Sequence, residues 1–223
     1  MLRLLQATAL TCTLMGCALT MVERDGHRVF NPRYVRALES DRRDGWQQPD
    51  RVLETLALPQ AAVVADIGAG TGYFTERFAR WVGATGHVYA TDVQDAMLTR
   101  LRERVAEHEL DNVEVIRAGF DDPTLPDACC DLIFFSSVYK EIDGRVDYMR
   151  KLRRALRRGG RVAIIEFRRW TFGLGPPLDV RLPPERVENE LAEAGFALVE
   201  SYDFLPREYF LVFAPAREAG HGP

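Results

Sequence analysis

The chain has 223 residues, of which 47% are hydrophobic and 28% are charged, a composition typical of one globular domain with a sizeable core. Its formal net charge of −4 provides no overall attraction to nucleic acid, so we expect no nucleic-acid partner and a small molecule as the ligand. The four cysteines and four histidines lack the spacing of a zinc site, so we expect no metal.

Residues 1–20 differ from the rest of the chain, because a short apolar stretch follows Arg3 and ends in Leu14-Met15-Gly16-Cys17. This pattern is typical of a bacterial lipoprotein signal, in which Cys17 is lipidated after cleavage and anchors the protein in the cell envelope. The alternative is an over-extended start, with translation from Met21 and a cytoplasmic protein. The stretch is too short to form a membrane-spanning helix.

Residues 21–49 are polar and irregular in pattern, and we interpret them as an N-terminal cap anchored by Phe30 and Trp46. The main domain is predicted over residues 50–215, and residues 216–223 are predicted as a flexible tail. Its first helix follows Pro49. Four apolar residues share one face of that helix: Val52, Leu53, Leu56 and Ala57.

Apolar strands and amphipathic helices then alternate along the chain. The predicted strands, in chain order, are residues 63–67, 87–91, 113–116, 132–135 and 161–167. The predicted helices are residues 73–82, a helix beginning at Asp95, and a helix that carries Met149, Leu152 and Leu156 and ends at Gly159-Gly160. Strands separated by helices of this length predict a parallel sheet with right-handed crossovers.

The C-terminal part departs from this alternation. A helix from Pro184 to Ala194 ends at Gly195, and two apolar segments, residues 196–204 and 209–213, follow within a short distance of each other. Segments this close in sequence predict an antiparallel hairpin. The pattern as a whole therefore predicts an α/β fold with a Rossmann-like, mostly parallel sheet, helices on both faces and a C-terminal antiparallel hairpin.

Six basic residues concentrate near the end of the predicted helix that carries Met149. They are Arg150, Lys151, Arg153, Arg154, Arg157 and Arg158. We interpret them as a solvated face whose cations stabilise the helix C-terminus, in preference to an anion-binding patch. The adjacent Cys129 and Cys130 are interpreted as packing residues, with thiol chemistry as the alternative.

A glycine-rich turn, D-I-G-A-G-T-G-Y, follows the first strand of the main domain and occupies residues 66–73. The dinucleotide fingerprint G-x-G-x-x-G would require a third glycine where Tyr73 stands, so the register does not fit it. Asp66, at the carboxyl end of the strand, would repel a pyrophosphate and suits the ammonium and sulfonium groups of S-adenosylmethionine. The turn therefore favours S-adenosylmethionine over NAD.

The second strand ends in an acid, Asp92, in the sequence H-V-Y-A-T-D. Asp92 stands twenty positions after Gly72, where a carboxylate can accept hydrogen bonds from both ribose hydroxyls of an adenosine ligand. This acid fits NAD and S-adenosylmethionine equally, so the choice between them depends on Asp66 and the glycine spacing.

Four segments together resemble a known family: D-I-G-A-G-T-G, Y-A-T-D, L-P-D-A-C-C-D-L-I-F-F and L-R-R-G-G-R-V-A-I-I-E-F. They are similar to class I S-adenosylmethionine-dependent methyltransferases, in the branch of the ubiquinone/menaquinone C-methylases and arsenite methyltransferases, over roughly residues 24–215. The resemblance implies a seven-stranded sheet with its last strand antiparallel. It also implies S-adenosylmethionine as the cofactor and transfer of its methyl group to a small or lipophilic acceptor.

The resemblance also implies a set of cofactor-binding residues. They are Asp66, Gly68, Ala69, Gly70 and Gly72 for the methionine portion, Asp92 and Val93 for the ribose, and Ser136 after the fourth strand. Family members often have Gly-Asp after the third strand, where the acid contacts adenine, whereas this chain has Ala118-Gly119. We therefore expect Asp121 to substitute for that acid or Phe120 to pack on the adenine ring.

The segment S-S-V-Y-K-E, residues 136–141, supplies the candidate catalytic residues. Relatives commonly have V-Y-H-E, so Lys140 stands where a histidine is expected, and Lys140 and Tyr139 are our candidates, ahead of Glu166. A lysine acts as a base only when its pKa falls well below about 10.4. Methyl transfer requires no acid or base in principle, so a structural role for Lys140 and Tyr139 is the alternative.

Two other functions are compatible with this sequence. A non-catalytic protein could keep the fold and bind S-adenosylmethionine, as the departures at Gly119 and Lys140 suggest. An NAD-dependent oxidoreductase is the third reading, which the glycine register disfavours.

Overall fold

A seven-stranded sheet organises the part of the chain that the computed structural model describes, which comprises residues 21–24, 26–170 and 175–217. The lipoprotein-type signal predicted at Cys17 and the last part of the predicted tail lie outside these residues. Within the described ranges, no helix has both the length and the apolar character needed to cross a membrane.

The N-terminal cap begins with a small antiparallel hairpin that the sequence pattern did not predict. Strands β1 (Met21–Arg24) and β2 (His27–Phe30) pair with Met21 opposite Phe30. Short helical segments follow. They are a 3₁₀ turn at Pro32–Tyr34, α1 at Val35–Leu38, a 3₁₀ turn at Asp41–Arg43 and α2 at Asp44–Gln47.

Helix α3 (Pro49–Leu56) leads into the main domain, with Pro49 in its first turn as proline favours. Val52, Leu53 and Leu56 are buried as predicted. Ala57 is exposed, which corrects its predicted place on the buried face. The reason is that Ala57 adopts a left-handed conformation, φ 47°, that ends the helix and turns the chain away.

The main sheet has the strand order β5-β4-β3-β6-β7-β9-β8. Its strands are β3 (Val63–Ile67), β4 (His87–Asp92), β5 (Val113–Arg117), β6 (Cys130–Ser136), β7 (Leu156–Phe167), β8 (Phe196–Tyr202) and β9 (Glu208–Pro215). Strands β3 to β7 are parallel, and β9 lies antiparallel between β7 and β8. The predicted α/β fold with a C-terminal antiparallel hairpin is confirmed.

Helices cover both faces of this sheet, so its central strands are apolar on both sides. The remaining helices are α4 (Tyr73–Val82), α5 (Asp95–Glu107), α6 (Arg145–Leu152) and α7 (Pro184–Glu193). On one face Phe74 and Phe78 of α4 pack on Phe134 of β6, with ring centroids 4.8 and 4.9 Å apart. On the other face Met149 of α6 and Val187 of α7 join the core.

The predicted end of helix α6 was wrong. The helix ends at Leu152, a 3₁₀ turn spans Arg153–Ala155, and Leu156 begins strand β7, which contains Gly159-Gly160. A buried Leu156 satisfies the helical spacing and the first position of a strand equally well, so periodicity alone could not separate them. A Cβ on Gly160 would lie 2.8 Å from the carbonyl oxygen of Cys130, so the glycine permits this close strand pairing.

The cluster of basic residues agrees with its interpretation as a solvated face. Its members pair with acids of neighbouring segments: Arg150 with Asp147, Lys151 with Asp121, Arg154 with Asp127 and Arg157 with Asp131. Each of these basic side chains is between 43% and 50% exposed, so water screens the pairs and each contributes little to stability.

Candidate cofactor and acceptor cleft

A cleft of about 250 Å³ opens at the carboxyl ends of strands β3, β4 and β6. This edge is where open parallel sheets bind ligands, because the chain turns away from the sheet there and leaves a crevice. The glycine turn after β3 forms one wall, and the segments that follow β4, β5 and β6 form the floor. The N-terminal hairpin closes the cleft through Met21, Arg28, Val29 and Phe30.

The glycine turn has a left-handed backbone at each of its three glycines, with φ of 64° at Gly68, 59° at Gly70 and 86° at Gly72. Side chains rarely adopt this conformation. A Cβ on Gly68 or Gly72 would also lie within 2.6 Å of another side chain, whereas one on Gly70 would meet nothing nearer than 3.8 Å. Gly68 and Gly72 thus allow tight internal packing, and Gly70 leaves the backbone open to a ligand.

Asp66, the penultimate residue of strand β3, lines the cleft while being only 3% exposed. Its Oδ2 accepts a hydrogen bond from the Thr75 hydroxyl at 2.6 Å. The pKa of Asp66 is raised to about 7, mainly by burial; the Thr75 hydrogen bond and the charge of Arg43 lower it, and the charge of Asp92 raises it. A cationic ligand beside this carboxyl would favour its ionised form, as the ammonium and sulfonium groups of S-adenosylmethionine would.

Asp92 ends strand β4, and two backbone amides fix its carboxylate. Oδ2 accepts from the Gly70 N–H at 3.0 Å and Oδ1 accepts from the Gln94 N–H at 2.9 Å. Burial raises the pKa of Asp92, and these hydrogen bonds oppose that effect. Each oxygen keeps a further lone pair, so the carboxylate can still accept hydrogen bonds from two ribose hydroxyls.

The two residues expected at the adenine side occupy different places. Phe120 lines the cleft, and its ring stacks on His27 with centroids 3.7 Å apart and planes inclined by 8°. Asp121 is 86% exposed at its side chain and pairs with Lys151 at 3.3 Å. The geometry thus supports Phe120 as a surface on which the adenine ring could pack. It does not support Asp121 as an adenine contact, because that side chain is exposed and pairs with Lys151. Three other expected residues, Ala69, Val93 and Ser136, line the cleft.

Lys140 lines the cleft, although its side chain is only 4% exposed. Its Nζ lies 3.4 Å from Glu166 Oε2 and 3.7 Å from Glu141 Oε1, and it also donates to the carbonyl of Ser137. These contacts are those of an ammonium group, which donates hydrogen bonds and cannot accept a proton. Lys140 is therefore placed to compensate the negative charge of buried carboxylates. This environment does not support the prediction that it acts as a base.

Tyr139 is fully buried, and its hydroxyl donates to Glu190 Oε2 at 3.1 Å. Glu190 also receives two hydrogen bonds from Arg145, at 2.7 and 2.8 Å. This network ties the segment after β6 to helix α7 on the core side of the sheet. Its position does not support the prediction that Tyr139 contacts the reacting groups.

Sequence reasoning missed four residues in or next to the cleft. Arg43 and Ser137 line it, whereas Gln47 and Glu208 are buried and hydrogen-bond to Ser136 and Ser137. Arg43 stacks over Tyr73 at 3.9 Å from the ring centroid and donates to Gln47 Oε1 at 2.8 Å, and burial lowers its pKa to about 10. Glu208 is completely buried and accepts from the Ser137 hydroxyl at 2.8 Å. The sequence signal that could have identified Glu208 is its position, as a charged residue, directly before the apolar run Y-F-L-V-F.

Comparison with known proteins agrees with this geometry. Residues 64–160 match the model of the methyltransferase domain family. The ubiquinone/menaquinone biosynthesis C-methyltransferase UbiE of Proteus mirabilis is 33% identical over 105 residues, which are 47% of this chain and 42% of that protein. The chain thus spans less than half the length of the curated relatives it matches.

Solved structures extend the likeness to most of the chain. A SAM-dependent methyltransferase from Aquifex aeolicus is 26% identical with a TM-score of 0.80, and the match covers 83% of this chain and 98% of that one. Phosphoethanolamine N-methyltransferase 2 of Haemonchus contortus, solved with S-adenosyl-L-methionine, shares the fold alone at 16% identity and a TM-score of 0.64, over 77% of this chain and 53% of that one.

The residues that line the cleft fit the cofactor of these proteins. Asp66 would stabilise its cationic groups, Asp92 would accept hydrogen bonds from its ribose, and Gly70 would let it approach the backbone closely. Residues 64–160 thus carry a methyltransferase domain, and the sheet order and the residues of the cleft are similar to those of S-adenosylmethionine-dependent methyltransferases.

Proposed function

We propose that this protein transfers the methyl group of S-adenosylmethionine to a small, lipophilic acceptor. The observation that carries the proposal is the apolar character of the cleft beyond the cofactor-binding residues. Val29, Phe30, Ile142 and Phe167 line this part, and the N-terminal hairpin covers it. A lipophilic molecule would gain free energy by leaving water for such a surface.

The cofactor supplies a methyl group already activated on a sulfonium sulfur, so the chain has three tasks. Asp66, Asp92 and the glycine turn hold and orient the cofactor. The apolar walls position the acceptor in line with the methyl group, which is where much of the rate acceleration in such reactions arises. The hairpin residues Val29 and Phe30 exclude water from the reacting groups.

An aromatic acceptor with hydroxyl groups is the best first candidate. The curated relatives are named for C-methylation in ubiquinone and menaquinone biosynthesis, and we propose a similar ring as the acceptor here, with its hydroxyl oxygen as the atom that receives the methyl group. An apolar cleft with hydroxyl-bonding groups at one end, Ser136 and Ser137, complements a ring that carries a hydroxyl.

Calorimetry and a transfer assay test the proposal. We expect S-adenosylhomocysteine to bind and NAD to show no heat of binding. We then expect labelled methyl groups to appear on 1,4-dihydroxynaphthalene in preference to phosphoethanolamine, a polar control. Tight NAD binding without S-adenosylhomocysteine binding would disprove the assignment. Cofactor binding without transfer to any acceptor would favour the non-catalytic alternative.

The cellular compartment in which the protein acts depends on which residue is the N-terminus of the mature chain. A lipidated Cys17 would hold the domain at the cell envelope, whereas a chain that starts at Met21 would act in the cytoplasm, where S-adenosylmethionine is made. The intact mass of the protein from its native host, with labelled fatty acid as a tracer, distinguishes the two.

A further inference from the structure

Ser137 borders the cleft and has an unusual backbone conformation. It follows strand β6, lines the cleft and has φ 59°, in the left-handed region that residues other than glycine rarely occupy. Its N–H donates to the Ile165 carbonyl at 2.8 Å, which fixes the position of the residue. Backbone strain of this kind is tolerated where a side chain must be held at a functional place.

The Ser137 hydroxyl is hydrogen-bonded to a carboxyl group that is shielded from solvent. Its Oγ donates to Glu208 Oε1 at 2.8 Å, and Glu208 is 0% exposed. Gln47 Nε2 contributes longer contacts of 3.4 and 3.5 Å to the two carboxylate oxygens. A buried carboxylate with so few strong donors is unfavourable for folding.

The charged groups around Glu208 leave both of its protonation states accessible. Arg43, from the N-terminal cap, favours the ionised form, and Glu166 on β7 disfavours it. Lys140 pairs with Glu166 at 3.4 Å and so compensates that second charge. Burial is the largest effect and raises the pKa of Glu208 to about 7. The group can therefore take up or release a proton near neutral pH.

We propose that Ser137 and Glu208 form a relay that accepts the proton of a hydroxyl-bearing acceptor during methylation, an inference that rests on the proposed function. The acceptor O–H bond breaks, and its proton moves to Ser137 Oγ while the proton of Ser137 moves to Glu208 Oε1. The electron pair left on the acceptor oxygen bonds to the methyl carbon. The bond between that carbon and sulfur breaks, its electron pair stays on sulfur, and the sulfonium becomes neutral.

The charges balance within the cleft. A sulfonium cation and the Glu208 carboxylate are present before transfer, and a neutral thioether and a neutral carboxylic acid remain afterwards. Glu208 acts through Ser137, so Ser137 is the residue that contacts the acceptor. The relay selects acceptors that still carry their proton when they bind.

A titration that needs no acceptor tests the coupling between the two residues. We expect NMR of protein labelled at glutamate Cδ to show one carboxyl that titrates near pH 7 and is missing from Glu208→Gln. In Ser137→Ala this carboxyl should titrate at higher pH, because the hydrogen bond that favours its ionised form is lost. An unchanged titration in Ser137→Ala would overturn the relay.

Kinetics with 1,4-dihydroxynaphthalene test the role of the Ser137–Glu208 relay in methyl transfer. Glu208→Gln and Ser137→Ala should lower kcat about 100-fold, the typical contribution of general base catalysis. The rise of kcat with pH through about 7 should be absent in Glu208→Gln. A nitrophenol that is already ionised at the assay pH should restore most of the activity, because it has no proton to lose. Matched changes at exposed positions, Glu54→Gln and Ser201→Ala, should have no effect.

The outcomes separate the relay from the proposed function. A wild-type enzyme that methylates the probe while Glu208→Gln keeps its kcat and pH profile would overturn the relay and leave the function intact. A wild-type protein that binds S-adenosylhomocysteine without methylating the probe would contradict the proposed function, and the carboxyl titration then decides whether the two residues are coupled.

Discussion

Gly68 and Val138 approach each other so closely across the base of the cleft that a Cβ on Gly68 would lie 2.4 Å from Val138 Cγ2. Gly68 lies in the turn after β3, and Val138 lies in the segment after β6 that also carries Ser137 and Lys140. The two segments that would hold the cofactor and the acceptor are thus packed directly against each other, with the Val138 side chain lying on the backbone of Gly68.

Gly68→Ala should therefore impair both stability and cofactor binding. A left-handed alanine costs about 1–2 kcal/mol, and the contact with Val138 adds about 1–3 kcal/mol of overpacking. We expect a fall in the free energy of unfolding by chemical denaturation and at least about a tenfold loss of S-adenosylhomocysteine affinity. The control is Gly144→Ala, which has a similar φ of 57° with nothing within 4 Å. Equal effects of the two substitutions would contradict a role for the Val138 contact.

Asp92→Asn should weaken binding without unfolding the protein. An asparagine keeps one carbonyl oxygen, so its amide group would face the N–H of either Gly70 or Gln94, and acceptors for the ribose would be lost. We expect S-adenosylhomocysteine to bind about 10–100-fold more weakly by calorimetry. Asp95→Asn, at a side chain that is 76% exposed, serves as the control. Wild-type affinity in Asp92→Asn would contradict the assignment.

Cofactor binding should release protons at neutral pH. The pKa of Asp66 is about 7 in the free protein, so about half of the molecules carry this proton at pH 7. A cationic ligand beside the carboxyl lowers its pKa and expels the proton. The binding enthalpy should consequently differ between phosphate and Tris buffers at pH 7, by an amount that corresponds to about half a proton. Asp66→Asn should abolish the difference, and a buffer-independent enthalpy in the wild type would refute this role.

Lys140→Met should destabilise the protein by about 3 kcal/mol, because two buried carboxylates, Glu166 and Glu141, lose their compensating charge. The double variant Lys140→Met/Glu166→Gln should recover part of that loss. Lys151→Met is the matched control, since Lys151 pairs with the exposed Asp121 and should matter by less than about 1 kcal/mol. Equal effects of the two single substitutions on chemical denaturation would show that burial of the Lys140 pair is unimportant.

Stability should fall as the pH rises from about 5 to 7. The pKa of Glu208 is 4.5 for the free side chain and about 7 in the folded protein, so in this window the native state holds a proton that the unfolded state has released. This stabilisation, about 3 kcal/mol, is fully present below pH 4.5 and is lost once the pH passes 7. Denaturation at several pH values should show a smaller slope in Glu208→Gln. An identical slope in that variant would contradict the raised pKa.

The central elements could be predicted from local sequence alone. The run before the glycine turn predicted the strand Val63–Ile67, and the helix Tyr73–Val82 has the predicted bounds, because glycines mark the limits of both segments. The hairpin of β1 and β2 was missed because four-residue strands, half of whose residues are polar, are too short to carry a periodic signal.

Most of the predicted cofactor residues line the cleft, and they could be proposed from the sequence because they lie at or just after the ends of apolar strands. Arg43, which lines the cleft, and Glu208, which is buried next to Ser137, were not predicted, because their positions depend on how distant segments pack. Arg43 lies in a polar segment of no clear pattern, and Glu208 reaches Ser137 only when β9 inserts beside β7. A buried charged residue such as Glu208 can be proposed as functional only once the strand order of the sheet is known.

The hairpin of β1 and β2 has a consequence for how the proposed activity could diverge among related proteins. The methyltransferase domain match covers residues 64–160, and the wall that faces the acceptor includes Val29, Phe30, Arg43 and Phe167, all outside that range. The proposed donor residues thus lie inside that range, whereas the acceptor wall combines residues inside it, such as Ser137 and Ile142, with these residues outside it. Exchange of the N-terminal segment between related enzymes should retarget the reaction while the donor site stays the same.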